Sequence, residues 1–371
     1  MIDSLALQAG AQAPLPEGFL LGHAQNADAG TGCTVVLCEQ GAVAGVAVRG
    51  AAPATRETDL LNPCNTVEKI HATILSGGSA FGLDAAGGVM RWLAERGIGL
   101  NVGAAVVPIV CGACIFDLGV GDGSVRPDAA LGYAACEAAA TNAPTPRSGN
   151  VGVGTGASVG KLLGEASAMK CGFGIAGIRL GELIVTALVA VNALGNVFDR
   201  TSGQTLAGAR DPRTKSTILN PYEALSLMSA MAGAAEGGMA GAGGSGNGAA
   251  GEPSSAASAS PLNTPTANTG ASTAPTAGAN TTIGCILTNG MLTKAQATRV
   301  ADMAHDGFAR AIEPVHTGFD GDTIFALSTA VLPTSPDLLG ALAAFVMEAA
   351  IHDAARSATS AFGLPSARDL H

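Results

Sequence analysis

Thr281 is the residue whose setting in the sequence points most directly to chemistry. A tract of Ala, Gly, Ser, Thr and Pro runs from Gly233 to Asn280 and stops abruptly at Asn280-Thr281-Thr282-Ile283-Gly284-Cys285-Ile286-Leu287. The tract carries too little bulky apolar surface to build a core. The segment after it reads as a buried strand. A cut between Asn280 and Thr281 would leave Thr281 a free α-amine beside its own hydroxyl, a base and a nucleophile in one residue. This points to a self-processed hydrolase of amide bonds.

Other side chains could serve such a centre. Lys161 is an isolated cation closing the Gly-rich run Gly149–Gly160. If partly buried, its lowered pKa would suit a base or electrostatic stabiliser; a solvated loop lysine fits the same pattern. Asn192, near the end of the apolar run Leu183–Ala193, could donate N–H to a developing oxyanion or simply form a turn. His316-Thr317-Gly318-Phe319-Asp320-Gly321-Asp322-Thr323 sets two carboxylates two residues apart. They could orient a hydroxyl or ammonium group or mark a polar turn, and the ligands of a calcium loop are missing. Ser76-Gly77-Gly78-Ser79-Ala80-Phe81-Gly82 matches neither a P-loop nor a nucleophile elbow and reads as a tight strand–helix turn. Cys111 and Cys114 have redox or zinc spacing in an apolar run with no second pair, so core packing is the expectation.

The elements that must position these groups alternate irregularly. Gly32–Leu37 and Gly41–Val48 read as a hairpin, and Lys69–Leu75, Val106–Phe116, Leu183–Ala193, Ile283–Leu287 and Thr323–Leu327 as strands. Helices are expected over Leu83–Glu95, Pro127–Ala139, Pro221–Ala232, Thr293–Ile312 and Pro336–Arg356. Hairpins mixed with strand–helix alternation predict an α+β sandwich of stacked sheets.

Among the 371 residues, 47% are hydrophobic but only 4% aromatic, with 52 glycines, so the core must be closely packed small aliphatic side chains. The net charge of −10 argues against nucleic acid or anionic membrane as partner. Met1–Pro14 carries no Lys, Arg or apolar run, so no secretory leader is expected. No apolar run looks both long enough and free of breakers to span a bilayer. The eight cysteines fit a reducing, cytoplasmic setting. Nothing calls for a metal or cofactor.

Taken together, these stretches resemble the family of DmpA-like self-cleaving peptidases, which includes L-aminopeptidase/D-esterase, β-peptidyl aminopeptidases and the nylon-oligomer hydrolase. The resemblance is carried by Ala29-Gly-Thr-Gly-Cys-Thr-Val-Val-Leu, Val48-Arg-Gly, Thr55-Arg-Glu-Thr-Asp, the Ser76–Gly82 motif, Gly152-Val-Gly-Thr-Gly-Ala-Ser-Val-Gly-Lys161, Asn280-Thr-Thr-Ile-Gly and Pro314-Val-His-Thr-Gly-Phe-Asp-Gly-Asp-Thr. It covers nearly the whole chain outside the low-complexity tract. It implies an αββα sandwich like that of N-terminal-nucleophile hydrolases. It also implies a precursor cut at Asn280–Thr281 into an α fragment, 1–280 (core 1–232, disordered tail 233–280), and a β fragment, 281–371, together forming one folded domain. By position, Thr281 would be the nucleophile, where aminopeptidase members have Ser, with Lys161, Asn192, Asp320 and Asp322 as its site partners. Phe116 stands in the substrate pocket where the nylon-oligomer hydrolase has Tyr. Aminopeptidase members hold the substrate amine with an acid in this region; here only Asp117 is near. The resemblance further implies a homo-oligomer of αβ units acting on short peptides, β-peptides or ω-amino-acid oligomers. Its alternatives are an acyltransferase of the ornithine acetyltransferase type and an aminopeptidase with a strict free-amine requirement.

Overall fold

Leu183–Asn192 is apolar at nearly every position and rich in Val and Ile, the pattern of a strand buried on both faces rather than one half in water. Thr281–Gly290 and the first part of Thr323–Leu332 are likewise buried along their length, though richer in Thr. The computed structural model, which describes residues 6–141, 148–240 and 280–370, stacks these strands into two sheets covered by helices.

The principal strands are β1 Leu7–Ala9, β2 Leu20–Asn26, β3 Thr31–Val48, β4 Thr55–Arg56, β5 Ile70–Ser76, β6 Val110–Cys114, β7 Phe173–Leu180, β8 Leu183–Asn192, β9 Thr281–Gly290 and β10 Thr323–Leu332. One sheet runs β1-β7-β8-β9-β10-β3 and the other β2-β3-β5-β6-β4. The pairs β9/β10 and β5/β6 are parallel, and the other neighbours are antiparallel. The helices are α1 Ala85–Glu95, α2 Ala129–Ala140, α3 Pro221–Ala240, α4 Lys294–Ala311 and α5 Pro336–Ser357. α4 and α5 cover the first sheet, α1 and α2 the second. Their starts are capped: Asp128 accepts from Leu131 N–H, Thr293 and Gln296 form a capping box, and Ser335 precedes Pro336.

Alternate residues of each strand face different layers. In β8, Val185, Ala187, Val189 and Val191 join Phe308, Val346 and Ile351 under α4 and α5. Leu188 and Ala190 turn the other way and meet Val36, Leu75 and Cys111 between the sheets. Cys33, Val35 and Leu37 pack with Val89, Trp92 and Leu93 beneath α1. The architecture is the expected αββα sandwich.

Several expectations need correction. The Gly32–Val48 segment is not a hairpin but one long strand, β3, which kinks near Gly41 (φ +77°) and passes from sheet to sheet. Residues Cys33–Leu37 pair with β5, and Val43–Val48 with β10. Exposed Glu39 and Gln40 imitate a turn, but they mark a bulge at which the strand changes partners. Val106–Phe116 is broken at Pro108 into Val106–Val107 and β6. β2 and β7 were not among the expected strands. α3 continues to Ala240, past the expected start of the low-complexity tract at Gly233; the rest of the tract up to residue 279 lies outside the described residues. One helix, α5, does reach the length and hydropathy of a membrane span, and its apolar face is part of the core.

Candidate active site

Thr281 opens β9 and is 3% exposed. Asn192, the last residue of β8, is its cross-strand partner. On the other side, Asn280 bridges to Asp320 in the turn that feeds β10. The register of three neighbouring strands therefore brings together side chains from three distant parts of the chain. The Thr281 hydroxyl donates to the carbonyl oxygen of Asn280, which also accepts the Gly321 N–H at 3.0 Å.

Lys161 arrives from the Gly-rich loop. Its Nζ donates to Asn192 Oδ1 at 2.8 Å and to the Asn192 carbonyl at 3.3 Å. The Ser158 N–H donates to the same Oδ1 at 3.1 Å. The Asn192 amide nitrogen in turn donates to the Phe116 carbonyl at 2.8 Å, so its orientation is dictated by its partners. Burial pushes the Lys161 ammonium down to about 7, with Glu165, Asp320 and Asp117 drawing it back up.

The two aspartates divide their work. Asp322 Oδ1 accepts the Thr282 N–H at 2.7 Å, while Oδ2 accepts the His316 N–H at 3.2 Å and pairs with His316 Nδ1 at 2.7 Å. Asp322 thus anchors the start of β9. Asp320 Oδ2 accepts the Thr317 N–H at 2.8 Å and the Thr317 hydroxyl at 2.6 Å, whereas its buried Oδ1 makes no hydrogen bond of good geometry to the described residues, the Leu194 N–H being the remaining donor near the carboxylate. Burial, and then the neighbouring Asp322 charge, raise the Asp320 pKa. One buried carboxylate is fully engaged, and the other keeps an open oxygen and a bias toward holding a proton.

A pocket of about 260 Å³ adjoins this cluster, lined in part by Phe116, Ser158, Lys161, Glu165, Arg210 and Phe362. Thr281 is not in its wall; Lys161, Ser158 and Phe116 line the pocket and also hydrogen-bond Asn192 of the cluster. Asp117 is committed elsewhere. Its oxygens accept the Thr31 hydroxyl at 2.7 Å and the Gly78 N–H at 2.6 Å, bracing the Ser76–Ser79 turn in which Gly78 has φ +81°.

Ser158, Glu165, His316 and Lys170 gained no role from the sequence. Lys170 is fully buried, and its Nζ donates to the carbonyls of Gly154, Ala157 and Cys171 at 3.0, 2.9 and 2.5 Å. It ties down the loop that presents Ser158 and Lys161. A lone Lys between Met and Cys could have signalled this, since a lysine in an apolar run must find acceptors. Cys111 and Cys114 are buried free thiols; burial pushes the Cys111 thiol up to about 12, which suits packing rather than redox chemistry. Among the described residues no three His, Cys, Asp or Glu side chains converge as a metal site.

The model of peptidase family S58 matches residues 17–364. The chain is 38% identical over 381 residues to an uncharacterized aminopeptidase of Mycobacterium tuberculosis (strain ATCC 25618 / H37Rv), covering 95% of this chain and 96% of that one. It is 30% identical over 352 residues to the 6-aminohexanoate-oligomer endohydrolase of Kocuria sp. (strain KY2), covering 91% and 84%. Its fold is similar to that of a β-aminopeptidase of Burkholderia sp. (TM-score 0.59, 18% identity, 95% and 90% covered). It is also similar to that of the L-aminopeptidase D-Ala-esterase/amidase of Ochrobactrum anthropi, a variant of the Ntn hydrolase fold (TM-score 0.59, 15% identity, 92% and 85% covered). A buried hydroxyl set among a lysine, an asparagine and two aspartates in such a sandwich, together with these matches, leads to one conclusion: the chain belongs to peptidase family S58 and is a hydrolase of peptide or amide bonds.

Proposed function

We propose that this protein cuts itself between Asn280 and Thr281 and that the freed Thr281 hydrolyses short peptide-like amides through an acyl-enzyme. The observation that carries the reading is the buried Thr281 hydroxyl at the Asn280 carbonyl, with Lys161 and Asn192 on one side and Asp320 and Asp322 on the other. In turnover, Thr281 Oγ attacks the substrate carbonyl and its proton passes to the Thr281 α-amine. Asn192 donates its remaining amide N–H to the oxyanion; losing one such donor typically costs about 2.7–4 kcal/mol of barrier. Lys161 disfavours a second positive charge on the amine, and the open oxygen of Asp320 relays the proton to the leaving group. Water then releases the acid. The substrate classes are short peptides, β-peptides and ω-amino-acid oligomers, in keeping with the names of the relatives.

Glu165 supports a free-amine variant of this reading. It lines the pocket and its carboxylate accepts no hydrogen bond from the described residues, so it can meet a substrate ammonium, whereas both oxygens of Asp117 are taken. A panel pairing each amide with its N-acetylated form separates the modes: equal rates on both forms would rule out a strict aminopeptidase.

Intact mass under denaturing conditions should show two fragments, the smaller beginning at Thr281. Thr281→Ala should remain one uncut, inactive chain. A cut and active Thr281→Ala protein overturns the assignment.

A further inference from the structure

This inference rests on the self-cleavage reading and concerns the oxyanion donor in each of its two reactions. Thr281 lies between two flanks. β8 ends on one side with Asn192, and the Asp320–Asp322 turn leads into β10 on the other. The carbonyl that the hydroxyl would attack during maturation, that of Asn280, lies on the second flank, where it accepts the Gly321 N–H at 3.0 Å. The Asn192 side chain makes no hydrogen bond to it. The Asn192 side chain instead joins Ser158, Lys161 and the Phe116 carbonyl, three residues that line the pocket. A substrate carbonyl arriving from the pocket meets the Asn192 side; the chain's own carbonyl meets the Gly321 side.

We propose that the two acyl transfers use different donors: the Gly321 backbone N–H for self-cleavage and the Asn192 amide for substrate turnover. In the first, Thr281 Oγ bonds to the Asn280 carbonyl carbon and Gly321 N–H holds the resulting oxyanion. The Asn280–Thr281 C–N bond then breaks, and the hydroxyl proton ends on the departing nitrogen, now the Thr281 α-amine. Water hydrolyses the ester to an Asn280 carboxylate and restores the hydroxyl. The absence of a side chain at 321 is part of the device. A Cβ there would stand 2.6 Å from the Ala52 carbonyl oxygen and 2.9 Å from Thr281 Oγ, so a larger residue moves the turn and its N–H away.

The test follows cutting by intact mass in a time course of cell-free synthesis, and turnover per cut molecule on a short amide. Asn192→Asp keeps an acceptor for Lys161 and Ser158 but loses the donor. It should be cut at the wild-type pace and lose roughly 10²–10³-fold in turnover. Asn192→Ala provides the same comparison without the added charge. Gly321→Ala should be cut slower by a factor on the order of 10². Circular dichroism and melting temperature report whether each variant is folded. A folded Asn192 variant that stays uncut, or a Gly321→Ala protein cut as fast as wild type, overturns the division of labour while leaving self-cleavage standing. An uncut wild type removes both.

Discussion

Lys161 derives its chemistry from its surroundings. An ammonium normally near 10.5 is brought to about 7 by burial, against the pull of Glu165, Asp320 and Asp117. In the proposed cut form the Thr281 α-amine, ordinarily about 7.7–8.0, would join this cluster, and the two bases would titrate as a pair. The proposed mechanism needs the amine neutral, so kcat/KM should rise with pH along an acid limb near neutrality. Removing a like charge makes the amine easier to protonate. Lys161→Met, which also leaves the aspartates unopposed, should therefore move that limb to higher pH and lower the plateau. A kcat/KM profile with an unmoved limb would exclude Lys161 from setting the amine. His316, at φ +57°, gives Asp322 both its backbone and its ring nitrogen, so the strained residue of this turn serves the carboxylate that holds β9 in register.

The elements hold these residues by close approach, which is why the chain is rich in glycine. α1 and α2 meet where a Cβ on Gly88 would stand 1.8 Å from the Ala129 carbonyl oxygen and one on Gly132 1.9 Å from that of Ala85. Gly87, one position earlier, has room for a Cβ, which would only touch the Ala129 Cβ at 3.9 Å. Two neighbouring substitutions should thus have opposite signs. Gly88→Ala overpacks the contact and should cost about 1–3 kcal/mol, whereas Gly87→Ala should gain up to about 1 kcal/mol from helix propensity. Urea unfolding midpoints measure both, and a destabilised Gly87→Ala would refute the packing argument. Lys170 applies the same logic to a loop: its three carbonyl contacts hold the Gly152–Gly156 turn so that Ser158 and Lys161 face Asn192.

On the scale of the molecule, the proposed cut falls at a place where the two pieces cannot separate without unfolding. β9 lies in mid-sheet, paired with β8 of the N-terminal piece and with β10 of its own. β10 continues the sheet onto β3, again from the N-terminal piece. α4 and α5 bury Val300, Phe308, Val346 and Ile351 against strands of both pieces. The fragments should therefore coelute in size exclusion and appear as a one-to-one complex in native mass spectrometry, separating only in denaturant. Fragments that part under native conditions would contradict this sheet order.

Local pattern was enough to place most helices, the strands at 183 and 281, and the junction at Asn280–Thr281. Apolar periodicity, caps and low-complexity composition are properties of neighbouring residues. The order of motifs along the chain carried the family and the roster of Thr281, Lys161, Asn192, Asp320 and Asp322. Only the tertiary structure decided that β3 crosses between sheets, that Asn192 and Gly321 flank Thr281 on opposite sides, and that both oxygens of Asp322 are engaged while Asp320 Oδ1 makes no well-formed hydrogen bond among the described residues. Strands buried on both faces lose the alternation that would reveal their partners. The depressed Lys161 and the raised Asp320 are consequences of desolvation, which exists only once distant segments close over them.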